Sequence, residues 1–261
     1  MPLHTIPRNW TRKARTFANA DVFLVSIPKS GRTWLRFQIR HYLCSLAGLP
    51  FSIKPCADEP QHLPRLACSH DLWEHLSAPR FRDRLRGKYI IPREQRRTRK
   101  ILLAVRDLRD VMVSLHLQLT RREFRSGVSY DGDLSAMIRD RRLGARRAVD
   151  ILNYWFDEWH HTDRFHIWNY ENARKDPHGC LREVLHFLGF ENIDEELLAR
   201  SIEFGDFESM QAMERDHRFD LRLMRPGDPR DPESFKVRRG RVGGYVDYLS
   251  DEDARLIERA S

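Results

Sequence analysis

The sequence predicts a three-layer α/β fold in which a central parallel sheet carries helices on both faces. Three observations lead there. Asp21-Val-Phe-Leu-Val-Ser-Ile27 is a short, nearly continuous apolar run, the pattern of a strand buried on both faces. Lys100-Ile-Leu-Leu-Ala-Val105 repeats that pattern. Strand-like and helix-like segments then alternate along most of the chain, as a parallel sheet with crossover helices requires.

Taken in order, Asp21–Ile27 is the first strand, and after a Pro-Lys-Ser-Gly turn Thr33–Leu46 places Leu35, Ile39, Tyr42, Leu43 and Leu46 at helical spacing, ending before Gly48-Leu-Pro50. Arg65–Ser69 is a weaker strand. Lys100–Val105 is a clear one, with a helix from about Asp110 to Leu119. Ser135 to His160 reads as one long helix or a broken pair; its Trp155 and Trp159, one turn apart, are assigned to packing. Arg164–Tyr170 alternates as a strand, and Asp176-Pro177 is an N-cap with proline at the first helical position of a helix running to Gly189. A small helix is expected over Glu195–Ile202. Gly205 to Tyr245 is polar, with a turn cluster at Arg225–Pro232, and reads as a long loop or lid; Asp251–Arg259 is a closing amphipathic helix. One domain over 1–261 is expected.

Apolar residues make up 41% and aromatics 10% of the 261 residues, enough to build a core and unlike a disordered chain. The net charge of +8 implies an anionic partner: nucleic acid, an acidic membrane or a polyanionic small molecule. Much of the excess is arginine, whose planar fork suits phosphate or sulfate. The runs Arg93–Lys100 and Arg139–Arg147 read more simply as solvated basic faces. Cys44, Cys56, Cys68 and Cys180 show neither metal-ligand spacing nor close pairs, so no metal site is expected and a reduced, cytoplasmic setting is. No stretch has the length of a signal peptide core or a membrane span.

Chemistry concentrates after the first strand. A glycine-containing turn between a buried strand and a helix offers backbone N–H groups at the positive helix end, suited to phosphate oxygens. Here the turn is Ser26-Ile-Pro-Lys-Ser-Gly-Arg-Thr33, and it departs from GxxxxGK[ST] because the lysine precedes the glycine. Pro28-Lys29-Ser30-Gly31-Arg32-Thr33-Trp34 resembles the donor-binding loop of the cytosolic-type sulfotransferases that use 3′-phosphoadenylyl sulfate (PAPS) and release adenosine 3′,5′-bisphosphate (PAP). The resemblance implies a phosphate-loop-like nucleotide-binding fold. It also implies that Lys29 contacts the sulfonate-bearing phosphate, that Ser30 and Thr33 assist at the 5′ phosphate, and that Trp34 stacks on adenine, with Gly31 and Arg32 completing the loop. Arg106 and Ser114 resemble the pair that binds the 3′ phosphate; Arg238, Arg239 and Gly240 resemble the segment that covers it, although Gly244 and Tyr245 stand where Asp and Trp are usual. Tyr170 resembles a tyrosine beside adenine. Taken singly, Arg106 would read as an ion pair with Asp107 or Asp110, and the Arg-Gly segment as a nucleic-acid-binding composition.

Sulfonate transfer to a hydroxyl or amine needs a base for the acceptor's proton and cations for the leaving phosphate, so no metal is obligatory. His70 follows the strand Leu66–Ser69 and resembles the family's base in a Lys-Thr-His segment, with Cys68 at the usual lysine; His62, His75 and a structural role for His70 remain alternatives. The catalytic pair expected is His70 and Lys29. The acceptor is expected to be a small molecule, carbohydrate or lipid, with no nucleic-acid partner, and homo-oligomerisation stays open. Residues 48–64 and 115–134, where acceptor specificity would lie, resemble nothing that can be decoded. Two rivals remain: a kinase or nucleoside triphosphatase, favoured by the loop, and a non-catalytic nucleic-acid binder, favoured by the charge.

Overall fold

The structure is a computed structural model that describes residues 8–55, 58–77, 81–85, 87–122, 130–218 and 224–261. Helix α1 (Arg8–Ala18) leads into β1 (Val22–Val25) and α2 (Arg32–Leu46). Strand β2 (Leu66–Ser69) is followed by the short helices α3 (Asp71–Ser77), α4 (Phe81–Leu85) and α5 (Arg93–Thr98), and β3 (Lys100–Val105) by α6 (Leu108–Arg121), α7 (Leu134–Arg139) and α8 (Ala145–Trp159). Strand β4 (Phe165–Asn169) opens the last third, with α9 (Tyr170–Lys175), α10 (Pro177–Leu188), α11 (Glu195–Phe204), α12 (Phe207–Arg215) and α13 (Asp251–Ala260).

The four strands form one parallel sheet in the order β2-β1-β3-β4. Every residue of β1 is buried because its side chains alternate between two apolar layers. Phe23 and Val25 join Ile101 and Leu103 against α6, α8 and α13, where Val111, Met112, Trp155 and Ile257 pack. Val22 and Leu24 join Leu102, Ala104 and Trp168 against α2, α10 and α11, where Leu35, Ile39, Leu185 and Leu198 pack. Helices therefore cover both faces, as the apolar runs predicted. A smaller cluster of Phe37, Ile53, Met210, Met213 and Met224 lies beside α2 and α12.

Parallel pairing sends every strand's carboxyl end to one edge of the sheet. The strand order reverses beside β1, and in open α/β sheets that edge, at such a reversal, is where ligands bind. Lys29, His70, Arg106 and Tyr170 all lie on the segments that leave the four strands there.

Some elements differ from expectation. The 135–160 span is a broken pair, α7 and α8, and both Trp155 and Trp159 are buried with rings 6.4 Å apart. Strand β4 stops one residue before Tyr170 because the Asn169 side chain accepts from the Asn172 N–H and starts α9. The 205–245 span is not one loop: Asp206 caps α12 through the Ser209 N–H, and Met210 and Met213 turn that helix onto the small cluster. Helices α1, α3, α4 and α5 were not expected. Cys44, Cys68 and Cys180 are free thiols, and Cys56 lies outside the described residues, as do 123–129 of the undecoded 115–134 stretch. Among the described residues no helix is long and apolar enough to cross a membrane.

Candidate active site

A cavity of about 870 Å³ opens at the carboxyl edge of the sheet. Its wall contains Lys29, Gly31, Arg32, Thr33, Trp34, His70, Arg106, Ser114, Tyr170, Arg238, Arg239 and Gly240, which is every predicted site residue except Ser30. Ser30 is fully buried beneath the loop, its hydroxyl donating to the Ile27 carbonyl at 3.2 Å. The histidines weighed against His70 are absent from the wall, His62 being exposed.

The loop owes its shape to two left-handed residues, Lys29 (φ 72°) and Gly31 (φ 83°). A Cβ on Gly31 would stand 2.5 Å from Cδ2 of Tyr170, so glycine serves both the turn and the close approach to the aromatic wall. Helix α2 begins directly after it with no side-chain cap and no acidic residue in its first turn, leaving the positive helix end uncompensated. The Lys29 ammonium donates to Gln118 Oε1 at 3.2 Å. Burial, then the neighbouring charges of Arg122 and Arg106, pull its pKa down to about 7.

Arg106, one residue beyond β3, pairs with Asp110 at 3.4 Å and lies over the Tyr170 ring at 4.3 Å. The ordinary ion pair with Asp110 is therefore present, while Asp107 is taken by Arg109 at 2.7 Å. Asp110, Ser114 and Gln118 share one face of α6 at four-residue spacing and all line the cavity. Trp34 meets Trp168 and Tyr170 edge-on at 5.5 and 5.3 Å, closing the aromatic side.

Two buried carboxylates hold the C-terminal arginine loop in place. Glu214 of α12 accepts from the N–H groups of Lys236 and Val237 at 2.7 and 2.9 Å. Asp110 accepts from those of Gly243 and Tyr245 at 3.0 and 2.9 Å. Between these clamps Arg238 pairs with Glu233 at 3.1 Å, Arg239 pairs with Asp247 at 2.7 Å, and Gly240 is left-handed (φ 58°), with a Cβ there falling 2.6 Å from the Phe207 ring.

His70 is held at both nitrogens. Nδ1 lies 2.7 Å from the Ser26 carbonyl and Nε2 lies 2.8 Å from Nη2 of Arg32. A carbonyl only accepts, so Nδ1 carries the proton and Nε2 presents its lone pair. Burial, then the Arg32 charge, holds the imidazole well below its ordinary pKa, neutral at physiological pH. The following residue, Asp71, is buried and left-handed (φ 38°), and accepts from the Ile91 N–H at 2.7 Å and the Trp155 indole N–H at 3.1 Å. From His70 the cavity continues along α3 past Trp73, Glu74 and Ser77, all on one face, to Asp83, Lys88 and Tyr89. Glu74 is paired with Lys13 at 2.9 Å and Asp83 with Lys88 at 3.0 Å.

The sulfotransferase domain family matches residues 19–261. The chain belongs to that family. The sulfotransferase is 24% identical to cytosolic sulfotransferase 12 of Arabidopsis thaliana over 256 residues, covering 92% of this chain and 76% of that relative. It is 21% identical to cytosolic sulfotransferase 16 of the same plant over 252 residues, covering 91% and 74%. In structure it is similar to mouse sulfotransferase SULT7A1 complexed with PAP, at TM-score 0.60 and 18% identity over 93% of this chain and 82% of the other. It is also similar to retinol dehydratase in complex with androsterone and PAP, at TM-score 0.62 and 17% identity over 97% and 84%. Those likenesses show the parallel-sheet fold.

Several residues of the sulfotransferase's cavity escaped the sequence reading. Lys236 and Arg122 line it, and burial pushes the Lys236 amine well below its ordinary pKa, Lys29 and Arg122 adding to the effect. Lys236 lies two residues before Arg238, within reach of a charge-run reading. Glu214 had no signal: a single Glu in a polar stretch shows nothing of the two amides it meets. Asp110 was visible only as a partner for Arg106.

Proposed function

We propose that this sulfotransferase takes its sulfonate group from PAPS, holds the nucleotide by the loop and arginines of the cavity, and uses His70 as the base toward a hydroxyl or amine acceptor. One observation carries the reading: a desolvated Lys29 lies among Arg106, Arg122 and Arg238 at the open start of α2, with His70 on the same cavity wall. The residues fit a polyanion. Arg32 Nη1 and Arg106 Nε are buried in the cavity region without a hydrogen-bond partner, donors that anionic oxygens would satisfy. PAPS when bound supplies a sulfonate activated on a phosphate leaving group. Lys29, with the loop amides, stabilises charge on that leaving phosphate. Arg106, Ser114, Arg238, Arg239 and Gly240 hold the 3′ phosphate, the feature that separates PAP from ATP or AMP. Trp34 and Tyr170 flank the adenine; Thr33 contacts the 5′ phosphate, and Ser30, from beneath, shapes the turn. His70 accepts the acceptor's proton at Nε2.

The acceptor is read as a small molecule bound along the α3 face, in keeping with the androsterone and retinol in complexes of retinol dehydratase. A cytoplasmic setting agrees with the cytosolic relatives and the free thiols. The two apolar layers share one sheet, which supports a single unit over 1–261 with its arginine loop inside 205–245.

Thermal shift with PAP, ATP and AMP at equal concentration tests the donor assignment. Ligand at about 100 times its Kd stabilises by about 2.7 kcal/mol, so PAP should raise Tm distinctly above the other two. Equal shifts for all three would overturn it. His70→Ala should abolish turnover and leave PAP binding nearly unchanged; turnover preserved in the variant would sink the assignment of the base.

A further inference from the structure

We propose that Arg32 is a latch on His70, occupying the base in the free protein and released from it by the anionic donor. The inference rests on the donor reading above and begins from the tautomer. With Nδ1–H committed to the Ser26 carbonyl, the imidazole has one lone pair, on Nε2, and Arg32 Nη2 donates to it at 2.8 Å. An acceptor hydroxyl must donate to that same lone pair before it can lose its proton. Both cannot do so, and His70 in this state cannot serve as a base.

Arg32 is poised to leave. No carboxylate pairs with it among the described residues, and its other terminal nitrogen, Nη1, is buried without a hydrogen-bond partner. A buried N–H group left unsatisfied is unfavourable, so the seat on His70 satisfies the guanidinium only in part. Arg32 is also the first residue of α2, next to Gly31 and three positions from Lys29, and its side chain lines the same cavity. An anion in the loop offers what His70 does not: two acceptor oxygens and a countercharge, the arrangement a guanidinium fork binds best. Arg32 is thus a positioning residue whose transfer to the donor uncovers the base, and the donor must bind before the acceptor can be deprotonated.

The nitrogen-15 signal of His70 Nε2, read at a pH where the ring is neutral, reports whether its lone pair is occupied, and the Trp34 indole signal reports binding in the same sample. PAP and PAPS are the probes. Either one should move the Nε2 signal toward the position of a free lone pair as the Trp34 signal saturates. Arg32→Met should show that position with no ligand present, and no further movement on adding PAP. If the Trp34 signal saturates while Nε2 stays at its free-protein position with both probes, the latch is wrong and the donor site stands. If neither signal responds to either probe, the donor reading and the latch fall together.

Discussion

Lys29 is the residue at which folding and binding pull in opposite directions. Its pKa of about 7 in the free protein, set by burial and by Arg122 and Arg106, means that it is largely neutral above that pH. An anion beside it favours the protonated form, so PAP binding takes up a proton above pH 7. Affinity should be flat below about pH 7 and fall by up to about tenfold per unit above it, until the pKa of the bound state is reached. Calorimetry in two buffers of different ionisation enthalpy reads that uptake directly; equal heats in both would refute it. The same lowered pKa makes the free protein gain stability as pH rises from about 7 toward the ordinary lysine value, where the unfolded chain still binds the proton. Gly31 gives a second residue-scale prediction. Gly31→Ala meets both a left-handed φ and the Tyr170 ring, which is packed against Trp34 and Trp168 and cannot swing aside. It should keep its far-ultraviolet circular dichroism and lose at least about 1–2 kcal/mol of PAP affinity, roughly tenfold, by titration. That His70, Lys29 and Arg106 line one cavity follows from the motif resemblance together with each residue's place just beyond a strand. The occupancy of His70 by Arg32 was not legible in the sequence, since it depends on where a long flexible side chain comes to rest.

At the scale of elements, the β1-loop-α2 and β3-α6 units were readable because a short apolar run is followed by helical spacing. Helices α4 and α5 were not: neither has a buried residue, so no apolar stripe marks them. Helix α12 hid in polar sequence, yet its buried Glu214 clamps the amides before Arg238 as Asp110 of α6 clamps those after Gly240. Asp110→Asn loses the pairing with Arg106 and one of two acceptor oxygens for the Gly243 and Tyr245 amides. Hydrogen bonds to charged groups contribute roughly 1.5–3 kcal/mol, so the loop's ordered state is weakened in the free protein and PAP should bind about tenfold or more weakly, measured by titration. An unchanged PAP Kd would remove Asp110 from any part in ordering the loop. Trp155 shows the reverse surprise: the sequence assigns it to packing, and it is packed, but its indole N–H also holds Asp71 beside His70.

For the whole molecule, stability rests on a sheet buried on both faces, and Leu24 lies at its centre with no exposed surface. Leu24→Ala should cost about 2–5 kcal/mol, a Tm fall of roughly 4–20 °C by calorimetry, through the cavity it leaves. A fall under about 1 °C would mean that the layer on α2 collapses to fill the space. Within the two basic runs some arginines are ion-paired: Arg96 with Glu158, Arg139 with Glu252 and Asp253, and Arg146 with Asp150. Lys29 and Lys236 face the cavity with pKa values lowered by burial, and an anion there would favour their charged forms. By itself the sequence determined the parallel α/β class, the phosphate-loop segment, the kinship to sulfotransferases and most of the cavity's residues, because each is written in neighbouring positions. Only the tertiary structure decided how those residues are held: Arg32 on His70 across 38 positions, Glu214 on the amide of Lys236 across 22 and Asp110 on that of Tyr245 across 135. Such meetings follow from strand order and register, which bring distant segments to one edge of the sheet, and no local pattern encodes them.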